Sequence, residues 1–198
     1  MGSHETPPAV TRAMLEAVFE PGELLTSPDG ILGPVTDADT REVLRTLGLP
    51  VGKNTAVGLD NKIGERFNRV GEYFDWRLEG TYSEVPPGAD MWISLGMVLW
   101  DSVVLDPDSG KVYGLPQDNE IYVCNSTFRH FVHFMYIIQA ERPYFDWEWE
   151  GGDELFDPQA ARARAGEAMR TIDPAALEIP QSRWHDVLTF MVDPEYDY

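Results

Sequence analysis

The spacing of apolar positions along this chain is helical at both ends and strand-like in the middle. Val10, Met14 and Val18, with Leu15 and Phe19 beside them, recur every three to four residues and predict a helix over residues 8–19. Pro7 and Pro8 suit its start, and Pro21-Gly22 its end. Leu24-Leu25 reads as a short strand, and Ser27-Pro28-Asp29-Gly30 as a turn. In a second helix Thr36 is the expected N-cap and Asp39 supplies a capping-box-like carboxylate. Val43, Leu44 and Leu47 form the buried face of that helix. Gly48 stands where a left-handed C-terminal residue belongs, and Pro50 forbids continuation.

From there the period shortens. Residues 91–100 read as a buried strand, and residues 102–105 as a second one after Asp101. Gly96 marks a bulge or a close backbone approach inside the first. Asp106-Pro107-Asp108-Ser109-Gly110 is a tight turn: proline presets φ, Asp106 accepts turn hydrogen bonds, and Gly110 can take φ > 0. Residues 111–115 form the return strand, and residues 121–123 a further one. The pattern over residues 51–88 is weak. Phe67, Val70, Tyr73, Phe74 and Trp76 point to strands there, but no strand order follows from them.

Helical spacing then resumes. Ser126 is the expected cap of a helix reaching about Ala140, with Phe128, Phe131, Val132, Met135 and Ile138 inward and Pro143 as its stop. Asp157-Pro158 opens another helix, to about Ile172, and Asp173-Pro174 repeats the device for a short one. Ser182 caps a last helix over residues 183–191, with Trp184, Val187, Leu188 and Met191 facing inward. Strands joined by short turns pair antiparallel. The fold class expected is therefore α+β, a twisted antiparallel sheet in mid-chain packed by N- and C-terminal helices. A single domain is expected over residues 9–192. Residues 1–8 are set aside as a disordered or tag-derived start, and residues 193–198 as a loose acidic tail.

Composition narrows the function. Hydrophobic residues are 43% of the 198 and aromatics 12%, which supports a packed core rather than disorder. No apolar run nears the ~20 residues of a membrane span, and the start lacks a secretion signal's basic and apolar regions. Cys124 is the single cysteine, so neither an internal disulfide nor a cysteine metal cluster is expected. These features together point to the cytoplasm. The net charge of −19 repels nucleic acid and anionic membranes and attracts a basic protein.

No catalytic group stands at a useful spacing. His130 and His133, with Glu141 as a third ligand, would be a metal set, but the histidines read better as edges of the aromatic stripe. Cys124 reads as a small buried hydrophobe; His130 is the nearest candidate base for it. His185 beside Asp186 is a surface pair. Arg162, Arg164 and Arg170 are offset by Asp157 and Glu167 and make no basic patch. No catalytic residue, metal or cofactor is expected. The most unusual stretch is residues 144–157, YFDWEWEGGDELFD, read as a loop or ordered flap. Its Asp146, Trp147, Glu148, Trp149, Glu150, Asp153 and Glu154 combine large amphipathic anchors with negative charge, which suits contact with a basic partner.

The block V-V-L-D-P-D-S-G-K-V-Y-G-L-P followed by V-C-N-S-T-F-R-H-F resembles the signature region of the SUKH superfamily, most closely its fourth group. Asp106, Gly110, Val112, Tyr113, Asn125, Ser126 and Phe131 carry the match, with Leu47, Gly48, Leu49 and Pro50 upstream and the Trp184 helix at the end. The resemblance implies helices packed on an antiparallel sheet, and a bacterial immunity protein that binds a polymorphic toxin encoded beside it, often a nuclease or nucleic-acid deaminase. It implies no catalytic set, and its matched positions are turn, cap and core. The alternatives are a SUKH-like interaction or regulatory module with no toxin partner, and an enzyme whose site the sequence does not show.

Overall fold

Five strands in the middle of the chain pair in sequence order. The computed structural model describes residues 9–52, 56–73, 77–118, 120–149 and 155–194. Strands β3 (Val57–Leu59), β4 (Ile93–Val98), β5 (Asp101–Leu105), β6 (Val112–Leu115) and β7 (Tyr122–Asn125) form one antiparallel sheet in that order. A second, two-stranded ladder joins β1 (Leu24–Leu25) to β2 (Leu49–Pro50). Helices flank the sheet. On the N-terminal side lie α1 (Arg12–Glu16) and α2 (Ala38–Glu42), the latter running into a π-helical turn, Val43–Leu47. Short α3 (Val70–Tyr73) and α4 (Leu78–Thr81) precede β4. The chain closes with α5 (Phe128–Phe145), α6 (Pro158–Ile172), α7 (Pro174–Glu178) and α8 (Arg183–Phe190). The fold is α+β in a single domain, as expected.

Strand alternation sends side chains to two cores. Ile93, Leu95, Val103, Leu105, Val112, Tyr122 and Cys124 face the larger one, shared with α5, α6 and α8. Trp92, Val104 and Leu115 face a smaller one completed by Val70, Leu78 and Tyr82. Part of the stretch whose pattern is weak, from Val70 on, thus covers the second face of the sheet, while Ala56, Val57 and Ile63 join the larger core. Val70–Tyr73 is helical rather than extended, and strand-like pairing there shrinks to one bridge between Arg69 and Ile93. The Val70 N–H is taken by Trp92 O at 2.9 Å, which turns the chain inward before a strand can lengthen. Phe74 and Trp76 lie outside the described residues.

Gly96 meets both sequence expectations. The β4–β5 register shifts between Ser94 and Gly96. A Cβ on Gly96, at φ 126, would stand 2.2 Å from the carbonyl oxygen of Gly58 on β3. The two-residue tip of the β4–β5 hairpin is Leu99-Trp100. Leu99 takes φ 51, as the first central residue of such turns requires. Its N–H donates to Ala56 O at 2.7 Å and its side chain packs on the larger core, which offsets the strain.

Several local expectations are corrected. The first helix begins at Arg12, with the Thr11 hydroxyl accepting from the Met14 N–H. The cap of α2 is Asp37, whose carboxylate accepts from Thr40 N–H at 2.7 Å; Thr36 instead donates its hydroxyl to Asp108 at 2.6 Å. The cap of α5 is Thr127, not Ser126. That helix passes through Pro143 to Phe145 instead of ending near Ala140, because a proline near a helix end removes only one N–H and Asp146 then closes the last turn. Ser182 is the N-cap of α8 but bonds no helix N–H with its side chain. Of the residues set aside as a tail, Asp193 donates its N–H to Thr189 O at 3.0 Å; residues 195–198 lie outside the described ones, as do residues 1–8.

Candidate partner-binding surface

The acidic aromatic segment opens as helix, not as loop. Tyr144 and Phe145 finish α5, and Asp146 terminates it by donating its N–H to Arg142 O at 2.9 Å. The Asp146 carboxylate accepts from Arg142 Nε at 2.7 Å and from Glu148 N–H at 3.0 Å, and its carbonyl accepts from Trp149 N–H at 3.0 Å. Only 7% of Asp146 is exposed, so it shapes the surface from beneath. Arg142 lies 5.2 Å over the Trp149 ring. The excursion closes where Asp157 N–H donates to Tyr144 O at 2.9 Å, beside Arg164, which sits 4.6 Å over the Tyr144 ring and pairs with Glu141.

Large apolar side chains on either side of that base are exposed. Trp147 is 71% exposed, Leu155 50% and Phe156 48%. Glu148 and Trp149 are also exposed. A shallow notch of about 170 Å³ beside Trp147 is floored by Phe145 and Phe190. Glu150, Asp153 and Glu154 lie outside the described residues. Exposed aromatics beside anchored backbone, as Trp147 is beside Asp146, are what a protein interface uses.

The groups tested for chemistry are not assembled. Burial, with His130 nearby, pushes His133 down to about 4, so it is neutral at pH 7. His130 Nδ1 lies 3.5 Å from Asp173, while Glu141 is held by Arg164 at the other end of α5. Cys124 is fully buried in the larger core, and burial raises its thiol far above the usual range. His185 is exposed; Asp186 turns to Arg183 at 2.9 Å. Among the described residues no group of three or more His, Cys, Asp or Glu could hold a metal ion, and no helix is long and apolar enough to cross a membrane.

Comparison with known families settles what kind of protein carries this surface. A model of SUKH-4 immunity proteins matches residues 10–189. The chain belongs to the SUKH-4 immunity protein family. No curated protein and no solved structure matches it.

The signature positions of this SUKH-4 protein act as cross-links within the fold. The Asp106 carboxylate accepts from Asp108 N–H at 3.0 Å and from the Ser109 hydroxyl, while Gly110, at φ 71, lies so close to Asp37 and Thr40 that a Cβ would meet both at 2.7 Å. Pro107 O in the same turn accepts from Thr36 and Asp37 N–H, so the hairpin tip is fastened to the start of α2. Gly48, at φ 78, lies against the Leu25 carbonyl, and Pro50 pairs with Leu24 in the small ladder. Tyr113 stacks on Trp92 at 4.2 Å. Asn125 and Ser126 donate to Asp173, the latter through N–H and hydroxyl at 2.8 and 2.7 Å. Trp184 Nε1 donates to Cys124 O at 3.1 Å and Asn125 Oδ1 at 3.2 Å.

The sequence reading missed the partners of these residues. Asp173 reads in the sequence only as a helix start, yet it ties the end of β7 to the α6–α7 junction. Burial pushes its carboxyl up, but His130, Ser126 and Asn125 outweigh that and hold it down at about 2. Asp101, 1% exposed, pairs with Arg183 at 2.9 Å and accepts from Tyr122 hydroxyl at 3.1 Å. Nothing local marks either: both join residues far apart in sequence.

Proposed function

We propose that this protein binds and neutralises a cognate toxin domain in the bacterium that makes both, and that the toxin acts on nucleic acid. Membership of an immunity protein family supports binding of a toxin. The net charge of −19 supports a basic one, because an enzyme that grips nucleic acid carries a basic cleft which an acidic protein can find and occupy. The observation that carries the contact face is the exposure of Trp147, Leu155 and Phe156, large apolar side chains at the two described ends of the acidic segment. Trp147 and Trp149 serve as anchors in this reading, and the acids near them in sequence, Glu148, Glu150, Asp153 and Glu154, supply charge for a basic partner. Asp146 holds the segment in shape.

The test is co-expression with the toxin-like domain encoded beside the gene. Tight co-elution and survival of the cells support the reading; a folded protein that neither co-elutes nor rescues overturns it. Trp147→Ala is expected to leave the fold intact and to weaken binding about 10- to 100-fold, the range of a central aromatic anchor. Isothermal titration reads the affinity, and an unchanged Kd moves the interface elsewhere.

A further inference from the structure

The strongest unassigned feature is a groove of about 360 Å³ between the end of α1 and the C-terminal half of α5. Phe19 and Trp149 stand among its walls, with Glu16 and Glu20 on the α1 side and Gln139 and Pro143 on α5. Gln139 is 7% exposed, on a helix face otherwise filled by Phe131, Phe134, Met135 and Ile138. Its Nε2 donates to Val18 O at 3.3 Å, which fixes the amide and turns Oε1 away; that oxygen is buried with no hydrogen-bond donor. A buried acceptor without a donor is unfavourable until a donor arrives.

The two charged residues that line this groove, Glu16 and Glu20, are both acidic. Glu20 is exposed, and among the described residues no lysine or arginine forms an ion pair with it; Glu16 is held by Arg12 at 2.8 Å. The Glu23 carboxylate bonds the Glu20 N–H at 2.8 Å and adds a further negative group to the corner. Arg142 already lies over the Trp149 ring, so what the groove offers a new cation is oxygen. The larger groove, between α6 and α8, is lined by Arg162, Arg170 and His185 with Glu167 among them, so its charge is mixed.

We propose that the α1–α5 groove is a socket for one arginine or lysine side chain presented by the toxin, hydrogen-bonded by Gln139 Oε1 and balanced in charge by Glu20. The proposal rests on the toxin-binding reading above and names the chemistry of one contact within it. The Gln139 side chain turns toward the incoming donor. The bond it gives up to Val18 is long, and the one it gains is to a charged group, the stronger kind.

The experiment titrates isotopically labelled protein with the peptide acetyl-Gly-Arg-Gly-amide, against the same peptide with neutral citrulline in place of arginine. Saturable shifts of the Gln139 side-chain amide and the Trp149 indole N–H are expected with arginine, at least fivefold weaker with citrulline. Glu20→Gln and Gln139→Leu should each weaken the arginine peptide fivefold or more, whereas the exposed Glu178→Gln should not. Shifts that spread over the acidic surface, that are equal for citrulline, or that ignore Glu20→Gln overturn the socket. Glu20→Gln is a surface change and keeps the test open if Gln139→Leu does not fold. With a toxin that the wild type neutralises, both variants should bind about tenfold more weakly. Wild-type affinity in both removes the socket and leaves the immunity reading standing. A wild type that neutralises no neighbouring toxin removes the immunity reading, and the peptide titration still decides the groove.

Discussion

At the scale of single residues, Asp173 and His133 set how this protein responds to acid. His133 is held neutral, its value lowered from 6.5 to about 4 by burial and by His130. The unfolded chain therefore binds the proton more readily, and stability present above pH 6.5 falls as the pH drops toward 4, by about 3 kcal/mol. Asp173 is held ionised, lowered from 3.8 to about 2. Its contribution is full above pH 3.8 and is lost as the pH falls toward 2, by about 2 kcal/mol. Urea midpoints between pH 7 and 2 should show both windows. His133→Leu should flatten the upper one, and Asp173→Asn the lower. Both helix caps misread from the sequence fail for one reason at this scale. Thr36 and Ser126 are sound caps by local chemistry, but Asp108 and Asp173 engage their hydroxyls, and the neighbours Asp37 and Thr127 cap instead.

Among the elements, the sheet depends on two glycines whose missing side chains let backbone or ring approach. Gly96 admits the Gly58 carbonyl, and Gly114 lies where a Cβ would meet the Tyr122 ring at 2.3 Å. Gly96→Ala should destabilise the protein by about 2 kcal/mol or more, since it adds a clash with rigid backbone at a positive φ. Hydrogen exchange should locate the damage at β3, the edge strand that touches Gly96; uniform loss of protection would mean that the whole sheet shares it. The elements whose stop and start signals are written in adjacent residues were legible: the Asp157-Pro158 and Asp173-Pro174 helix starts, the end at Gly48 and the Asp106–Gly110 turn. The short helices before β4 were not, because their direction is set by hydrogen bonds and packing to the far side of the sheet.

Across the whole molecule, the excess of acids governs encounter more than fold. Association with the toxin should slow about tenfold or more as salt rises from roughly 0.05 to 0.5 M, while dissociation changes little, because screening removes the long-range attraction and spares the desolvated contacts. Stopped-flow kinetics measure both rates; a salt-independent on-rate would mean that charge plays no part in the encounter. The sequence by itself determined the α+β class, the antiparallel mid-chain sheet, the helix starts and turns signalled by neighbouring residues, and the family. Only the tertiary structure decided that Val70, Leu78, Tyr82 and Ala89 cover the second face of the sheet, that Asp146 is buried while Trp147 beside it is exposed, and that Gln139 Oε1 is left without a donor at the groove that Glu20 also lines. Periodicity and capping act between residues a few positions apart, and so can be read along the chain. Burial and pairing join positions such as Val18 and Gln139, or Ser126 and Asp173, which become neighbours only once the chain has folded.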